Sequence, residues 1–150
     1  MPFDLSIIIA SYKRRDVLEL CLGDIAAQMT RRSFEVVLVL QAYPEGSAAE
    51  LERQFAGKLA FQSAEFPEGL GTSKARNTGL WMATGNVVAF LDDDVRLPAA
   101  WVESMLGFYD DPKIGGVGGF VDHPGHYNRV RNTAYRVLGL TSDRYRIDWG

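Results

Sequence analysis

The sequence predicts an α/β fold of the Rossmann-like type, with a mostly parallel sheet and helices on both faces. Short apolar runs typical of buried strands alternate with stretches of helical periodicity along most of the chain. Such alternation produces βαβ units, whose right-handed crossovers place consecutive strands in parallel. The chain has 150 residues, 47% of them hydrophobic and 23% charged, which is enough for one domain with a buried core.

The first strand, helix and second strand have the clearest patterns. Residues 5–10 are apolar at nearly every position, which is typical of a strand buried on both faces. Over residues 16–29 the apolar side chains recur at helical spacing, with acidic residues on the other side. Residues 35–40 (Glu-Val-Val-Leu-Val-Leu) are apolar at every position after the first, and we interpret them as another buried strand.

The middle of the chain repeats this alternation with weaker signals. The Ser-x-x-Glu pattern at 47–50 is typical of a capping box and predicts a helix that ends near Phe55. Residues 58–63 are expected to form a third, shorter strand, and residues 72–83 another helix. Gly79 lies inside that helix, where a glycine costs about 1 kcal/mol relative to alanine.

The last third of the chain begins regularly and then loses its pattern. Residues 86–91 predict a fourth strand, and Pro98 is placed to start the helix that carries Trp101. Residues 115–121 resemble a fifth strand that four glycines loosen. We therefore expect one α/β domain over residues 1–121 and an irregular or incomplete region over residues 122–150.

Composition excludes several classes of function. Sixteen Lys and Arg against nineteen Asp and Glu give a net charge of -3, too small an excess for a protein that wraps nucleic acid. Cys21 is the single cysteine, and we expect it to be a buried structural thiol. No apolar run approaches the roughly 20 residues that span a bilayer. We expect a cytoplasmic protein, and we leave open a peripheral attachment to the inner face of a membrane.

Three consecutive aspartates, Asp92, Asp93 and Asp94, stand where the fourth strand ends. Ligands of open α/β sheets bind beyond the carboxyl ends of the strands. Two unit charges ~4 Å apart repel by about 4 kcal/mol at an effective dielectric near 20, so this cluster requires bulk water or a cation. Mg²⁺ or Mn²⁺ would satisfy it and would complete its shell with water and substrate phosphates. The alternative is that the aspartates cap the following helix.

Two further segments have the composition of a nucleotide site. Glycines at 69 and 71 lead into a helix whose first turns carry Lys74 and Arg76, a combination that favours phosphate. Ser11 and Tyr12 follow the first strand and offer hydroxyls and an aromatic face to a base or a sugar. The alternative for each segment is a solvated loop, and the phosphate-binding P-loop pattern is not met.

Together the three segments resemble the nucleotide-sugar-binding half of the family 2 glycosyltransferases, which have the type A glycosyltransferase fold. The matching motifs are the first strand with its Ser-Tyr turn (residues 5–14), the Ala-Arg-Asn-x-Gly helix (residues 75–79) and the Asp-x-Asp metal motif (residues 92–94). The likeness covers roughly residues 4–121. It implies that residues 1–121 bind the nucleotide sugar and that residues 122–150 begin an incomplete acceptor-side region.

The resemblance implies a metal-dependent, inverting transfer of sugar from a nucleoside-diphosphate sugar to a hydroxyl of a glycan, a lipid-linked or another acceptor. It places the first strand beside the strand that ends at the aspartates. Asp94 and Asp92 would bind Mn²⁺ or Mg²⁺. The residues expected at the nucleotide sugar are Ala10, Ser11, Tyr12, Arg14, Gln41, Lys74, Arg76, Asp92 and Asp93.

Two departures from the family pattern stand out. The family has an acidic residue that pairs with the base at the end of its second strand, where this sequence has Gln41, whose amide could still meet a pyrimidine edge. An inverting transfer also needs a general base, which the family usually carries beyond the point that matches Gly150. Asp122 and His123 are the local candidates, although a polar turn is the simpler interpretation.

Other functions are compatible with parts of the pattern. The chain could be a non-catalytic nucleotide-binding module or a module that a partner completes, and a homo-oligomer is left open. A phosphorylation-receiver domain is a similar α/β fold, but it needs an acidic pair where Ser11 and Tyr12 stand. An aspartyl phosphatase expects Thr or Val two places after its second aspartate, and Arg96 occupies that position.

Overall fold

The computed structural model describes residues 2–119 and the backbone of residues 145–146. The chain divides into two compact units, Met1–Glu103 and Ser104–Gly150. The first unit contains, in chain order, β1 (Leu5–Tyr12), α1 (Arg15–Ala26), β2 (Phe34–Gln41), α2 (Ser47–Gln54), β3 (Phe61–Phe66), α3 (Thr72–Met82) and β4 (Val87–Leu91). Helix α4 (Trp101–Leu106) follows, and then a 3₁₀ turn (Gly107–Asp110).

The four strands of the first unit form one parallel sheet with the order β3-β2-β1-β4. This confirms the predicted α/β class, and it places β1 beside the strand that ends at the aspartates. In the register, Tyr12 lies opposite Gln41, and Gln41 opposite Phe66. On the other side of β1, Ile9 lies opposite Leu91. The carboxyl ends of all four strands therefore meet at one edge of the sheet.

The two central strands form the core. Leu5 and Ile7–Ile9 in β1 and Val36–Leu40 in β2 are at most 1% exposed. Successive residues of a strand face opposite sides of a sheet, so burial of every position shows that both faces are covered. Leu18, Cys21, Leu22 and Ile25 of α1 are also buried and belong to the core.

Gly79 is where α3 packs against the sheet. A Cβ at this position would overlap Cγ2 of Ile8, closer than side chains approach one another. The glycine that conflicts with helix propensity therefore allows the close packing of α3 on β1. This contact fixes the height of α3 and of Arg76, one turn earlier, above the sheet.

One buried carboxylate connects the strands at their amino-terminal ends, which we call the amino edge of the sheet. Glu35, at the start of β2, is 2% exposed. Its oxygens accept hydrogen bonds from Ser6 Oγ (2.6 Å), Gln62 Nε2 (2.8 Å), and the amide and hydroxyl of Thr84 (2.8 and 2.7 Å). These donors belong to β1, β3 and the loop before β4. The carboxylate thus joins all four strands at the edge opposite the aspartates.

Two local predictions were wrong in the middle of the chain. The third strand begins at Phe61 rather than at residue 58, because residues 55–58 form a turn in which Gly57 has a φ of +76°. The capping box is absent, since Ser47 Oγ donates to the carbonyl of Pro44. Glu65 of β3 accepts the amide of Ala48 instead (2.5 Å), a cap that residues 47–50 alone cannot show.

In the second unit, a strand does occur within the expected residues 115–121, but it is shorter than expected and does not join the parallel sheet. Of residues 115–119, only Val117–Gly118 forms a strand, β5, which pairs antiparallel with β6 (Tyr145–Arg146). The neighbouring glycines have no side chain to pack, which weakens a strand. The predicted boundary at residues 121–122 lies outside the described residues. Within the part of the chain that is described, no helix is long and apolar enough to cross a membrane.

Candidate functional site

The carboxyl ends of β1 and β4 bring two of the predicted segments into contact. Asp93 follows β4 and is 1% exposed, and its Oδ2 accepts a hydrogen bond from Ser11 Oγ at 2.5 Å. Its Oδ1 pairs with Nη2 of Arg14, whose Nη1 reaches Asp94 Oδ2 at 2.8 Å. The charge of Asp93, before any other group, raises the pKa of Arg14. One arginine therefore spans two of the three aspartates.

The helix motif meets the remaining aspartate. Nη2 of Arg76, on the second turn of α3, lies 2.7 Å from Asp92 Oδ1. Both side chains are accessible, with 41% of Arg76 and 65% of Asp92 exposed. All three segments that the sequence singled out thus converge at one edge of the sheet, and each aspartate pairs with an arginine.

The segment after the aspartates is tied to α1. Asp24 accepts two hydrogen bonds from Arg96 (2.6 and 2.9 Å) and one from the amide of Leu97 (3.0 Å). The hydrogen bond from Arg96 is the main reason why the pKa of Asp24 is lowered. Gln28 adds a bond to the carbonyl of Pro98 (2.9 Å). These contacts fix where the chain goes after Asp94, and they give Arg96 a structural role.

Tyr12 forms the aromatic part of the site. Its side chain is half exposed, and Lys13 Nζ lies 5.1 Å from the centre of its ring. Gly69 packs on the same ring, since a Cβ there would lie 3.2 Å from Tyr12 Cε2. The glycine-rich loop before α3 therefore passes directly beside the ring.

Gln41 holds that loop. It is 4% exposed, and its Oε1 accepts a hydrogen bond from the amide of Leu70 at 2.8 Å. With this one bond to the loop, the side chain still has its NH₂ group and the second lone pair of its oxygen to offer to a further partner. The sequence predicted Gln41 at the site as a contact for a base, and the structure adds that it anchors the loop over Tyr12.

The remaining predicted residues lie at varying distances from the aspartates. Ala10 is half-buried inside β1, two residues before its end. Lys74 is exposed on the first turn of α3, and within residues 2–119 it forms no ion pair. Asp122 and His123, the candidates for a general base, lie outside the described residues.

Sequence reasoning missed Tyr43, which stands two residues after β2. Its hydroxyl lies 2.6 Å from Ser11 Oγ and accepts the amide of Arg14 at 3.1 Å. Burial, before any other cause, raises the pKa of Tyr43. Tyr43 also lines an open cleft of about 330 Å³ with Lys13, Arg15, Ala42 and Pro44. The available signal was its position after β2, at the edge where the other strand ends meet.

The donor set at this edge fits one kind of metal ion. In the part of the chain that the structure describes, no three Asp, Glu, His or Cys side chains lie together as a metal cluster. Asp92 and Asp94 offer exposed carboxylates, while Asp93 is buried against Ser11 and Arg14. Mg²⁺ and Mn²⁺ bind through one or two carboxylates and take their other ligands from water and phosphate. The site fits such an ion and does not fit a metal bound by protein alone.

Comparison with known proteins identifies the family. The profile of glycosyl transferase family 2 matches residues 6–148. The chain belongs to this family. It is 30% identical over 125 residues to the glycosyltransferase AglE of Haloferax volcanii, a match that covers 81% of this chain and 40% of that protein. It is also 30% identical to the hyaluronan synthase of Pasteurella multocida, covering 79% of this chain and 12% of that protein.

Solved glycosyltransferase structures have the same fold. A mannosyltransferase from Pyrobaculum calidifontis, in complex with GDP-Man and Mn²⁺, has a TM-score of 0.70 and 28% identity, covering 84% of this chain and 37% of that chain. TarS of S. aureus with UDP-GlcNAc has a TM-score of 0.71 and 22% identity, covering 83% of this chain and 36% of that chain. The chain spans about two-fifths of the length of AglE and slightly less of each of these two solved chains, the second of which is TarS 1–349.

Proposed function

We propose that this chain binds a nucleoside-diphosphate sugar together with Mn²⁺ or Mg²⁺, as the donor-binding part of an inverting glycosyltransferase. The observation that carries the proposal is the convergence of Ser11, two arginines and three aspartates at one edge of the sheet. The acceptor would be a hydroxyl of a glycan, of a lipid-linked or of another acceptor molecule.

The residues divide the work by charge and exposure. Asp94 and Asp92 would hold the divalent cation, which neutralises the diphosphate as it leaves the sugar. Arg14 and Arg76 lie at the same carboxylates and bring guanidinium groups suited to bidentate recognition of phosphate. Preorganised charges of this kind stabilise a leaving group without reorganisation during the reaction. The Tyr12 ring offers a stacking surface for the base or the sugar.

The acceptor side of the reaction would require a general base. Inversion needs a carboxylate or an imidazole within hydrogen-bond reach of the acceptor hydroxyl. Asp122 and His123 are the candidates within this sequence. The relatives support the donor side, since the Pyrobaculum mannosyltransferase was solved with GDP-Man and Mn²⁺, and TarS with UDP-GlcNAc.

A binding panel tests the proposal. UDP, GDP, dTDP, ADP and CDP are each added with Mn²⁺ or with EDTA, and the thermal midpoint is measured for the wild type, Asp94→Asn and Asp16→Asn. A ligand at ~100 times its Kd adds about 2.7 kcal/mol, which corresponds to several degrees for a domain of this size. We expect a shift with at least one nucleotide that needs Mn²⁺, is lost in Asp94→Asn and persists in Asp16→Asn.

The control and the outcomes separate the alternatives. Asp16 is an exposed aspartate in the first turn of α1, so its loss removes a charge without touching the site. If no nucleotide shifts the midpoint, or if Asp94→Asn responds like the wild type, the donor-binding proposal is wrong. If binding occurs but a labelled nucleotide sugar releases no nucleoside diphosphate in the presence of acceptors, the chain is a binding module.

A further inference from the structure

Tyr43 lies at the centre of a group of hydrogen bonds that connects the ends of three segments. Its hydroxyl accepts the amide hydrogen of Arg14 (3.1 Å) and lies 2.6 Å from Ser11 Oγ, and Ser11 Oγ donates to Asp93 at 2.5 Å. Arg14 then returns to the same carboxylate through its guanidinium. The four residues form a closed circuit between the end of β2, the end of β1 and the aspartates after β4.

Only one direction of donation satisfies this circuit. A backbone amide can only donate, and a carboxylate paired with a guanidinium only accepts. Each hydroxyl has one hydrogen. The hydrogen of Ser11 goes to Asp93, so the hydrogen between Ser11 and Tyr43 must come from Tyr43. The order is therefore Arg14 amide to Tyr43, Tyr43 to Ser11, and Ser11 to Asp93, which we call the Tyr43 relay.

The backbone supports the relay on both sides. Lys13, directly after β1, has a φ of +55°, and Ala42, directly after β2, has a φ of +54°. Residues other than glycine rarely adopt this left-handed backbone conformation, which persists only where the surrounding contacts hold it in place. The amide of Ala42 is fixed by the carbonyl of Phe66 at 2.8 Å. These two turns bring Tyr43 and Arg14 to the same point.

We propose that Tyr43 is a positioning residue of the donor site, acting through Ser11 and Asp93 to hold Arg14 at Asp93 and Asp94. The inference rests on the proposed function, and it assigns to Tyr43 no contact with the ligand. If the hydroxyl of Tyr43 is removed, Ser11 loses the donor that orients it, and the amide of Arg14 loses its acceptor. Asp93 and Arg14 then lose part of the order that prepares them for a cation and a diphosphate.

The first test is a double-mutant cycle on nucleotide affinity. The Kd of the nucleotide that shifts the wild type most strongly is measured with Mn²⁺ for the wild type, Tyr43→Phe, Ser11→Ala and the double variant. Residues that act as one network show non-additive effects, and such cycles measure them directly. Tyr43→Phe removes both hydrogen bonds of the hydroxyl, neither of which touches the ligand. We expect it to weaken binding about 3- to 10-fold, an effect of the size that one net hydrogen bond contributes. We expect no further weakening when it is added to Ser11→Ala.

A matched control and a ligand-free measurement complete the design. Tyr109→Phe removes a hydroxyl from the 3₁₀ turn, far from this circuit in sequence, and should leave the Kd unchanged. In the ligand-free protein, NMR of the arginine side chains measures how fast the Arg14 guanidinium rotates. Both Tyr43→Phe and Ser11→Ala should speed this rotation, while Arg96, paired with Asp24, keeps its wild-type rate as an internal reference.

Each outcome is decisive. An unchanged Kd in Tyr43→Phe, or losses that multiply in the double variant, overturn the relay and leave the proposed function intact. If no nucleotide binds the wild type, the proposed function fails, and the rotation of Arg14 alone decides on the relay. An unchanged rotation in both variants then overturns it. Should Tyr43→Phe fail to fold, Ser11→Ala interrupts the same relay one bond further on.

Discussion

Replacing Glu35 by Gln should destabilise the sheet without touching the candidate site. The substitution keeps the size of the side chain and removes its charge. Three hydrogen bonds converge on Oε1, from Ser6 Oγ and from the amide and hydroxyl of Thr84, and Gln62 donates to Oε2. The oxygen of a glutamine at position 35 can retain the bonds from Ser6 and Thr84 as bonds to a neutral carbonyl. The side-chain amide of Gln62 can rotate so that its oxygen accepts a hydrogen bond from the new NH₂ group.

The expected loss follows from these bonds. Hydrogen bonds to a charged group contribute about 1.5–3 kcal/mol and neutral ones about 0.5–1.5, so each of the three loses about 1 kcal/mol. Glu35→Gln should therefore lower the free energy of unfolding by about 3 kcal/mol, measured by urea denaturation at pH 7. Glu52→Gln is the control, because Glu52 accepts one bond from Ser63 Oγ (2.6 Å) at a half-buried position, and it should cost less than about 1 kcal/mol.

The pH dependence provides the sharper test. Burial opposes ionisation of Glu35, but the hydrogen bonds from Ser6, Gln62 and Thr84 outweigh it and lower its pKa below the ordinary 4.5. A lowered pKa contributes stability that is present above the unfolded value and is lost as the pH falls through the folded value. The difference in the free energy of unfolding between wild type and Glu35→Gln should have its full size above about pH 5 and should shrink below about pH 4. A gap that is below 1 kcal/mol or constant with pH would refute this reasoning.

Two further predictions concern the packing of the helices. Gly79→Ala should destabilise the domain by about 1–3 kcal/mol, because its Cβ would overlap Ile8. Gly23→Ala in α1 is the control, since its Cβ has open space, and it should stabilise the domain by about 0.5–1 kcal/mol. Equal effects of the two substitutions on thermal unfolding would contradict the packing of α3 on β1. Cys21 should resist alkylation in the native state, since burial raises its pKa to about 12, and mass spectrometry should show labelling only at the rate of unfolding.

The class of the fold was predictable because buried strands leave an unambiguous signal. Residues 5–10 and 35–40 are apolar at nearly every position, and they form the two central strands. The position of the site followed from a general property of parallel sheets, whose carboxyl ends meet at one edge. Strands β1 and β4 are neighbours in the sheet although they are not consecutive in the chain, and this was expected only from the resemblance to the family.

Features that depend on partners distant in the sequence were not predictable. Helix α2 is capped by Glu65 from β3, seventeen residues after Ala48, so the local Ser-x-x-Glu pattern was misleading. Gly79 conflicts with helix propensity until Ile8 is seen beneath it. Tyr43 has no motif of its own, and its contact with Ser11 arises because two left-handed turns bring the strand ends together.

Glu35 and two of the three aspartates, Asp92 and Asp94, are held in opposite ways at the two ends of the strands, and this difference favours the end with the aspartates as the proposed donor site. Glu35 is buried among neutral donors that are themselves fixed in the fold, so breaking its bonds would leave a buried charge without partners. Asp92 and Asp94 are paired with arginines that are 41–53% exposed. Ion pairs at such positions contribute only about 0–1 kcal/mol. It therefore costs little for these aspartates to exchange their arginines for a divalent cation, and for the arginines to exchange the aspartates for a phosphate. In the proposed function, Asp92 and Asp94 would therefore change partners when the donor binds, while Glu35 keeps the four strands in register.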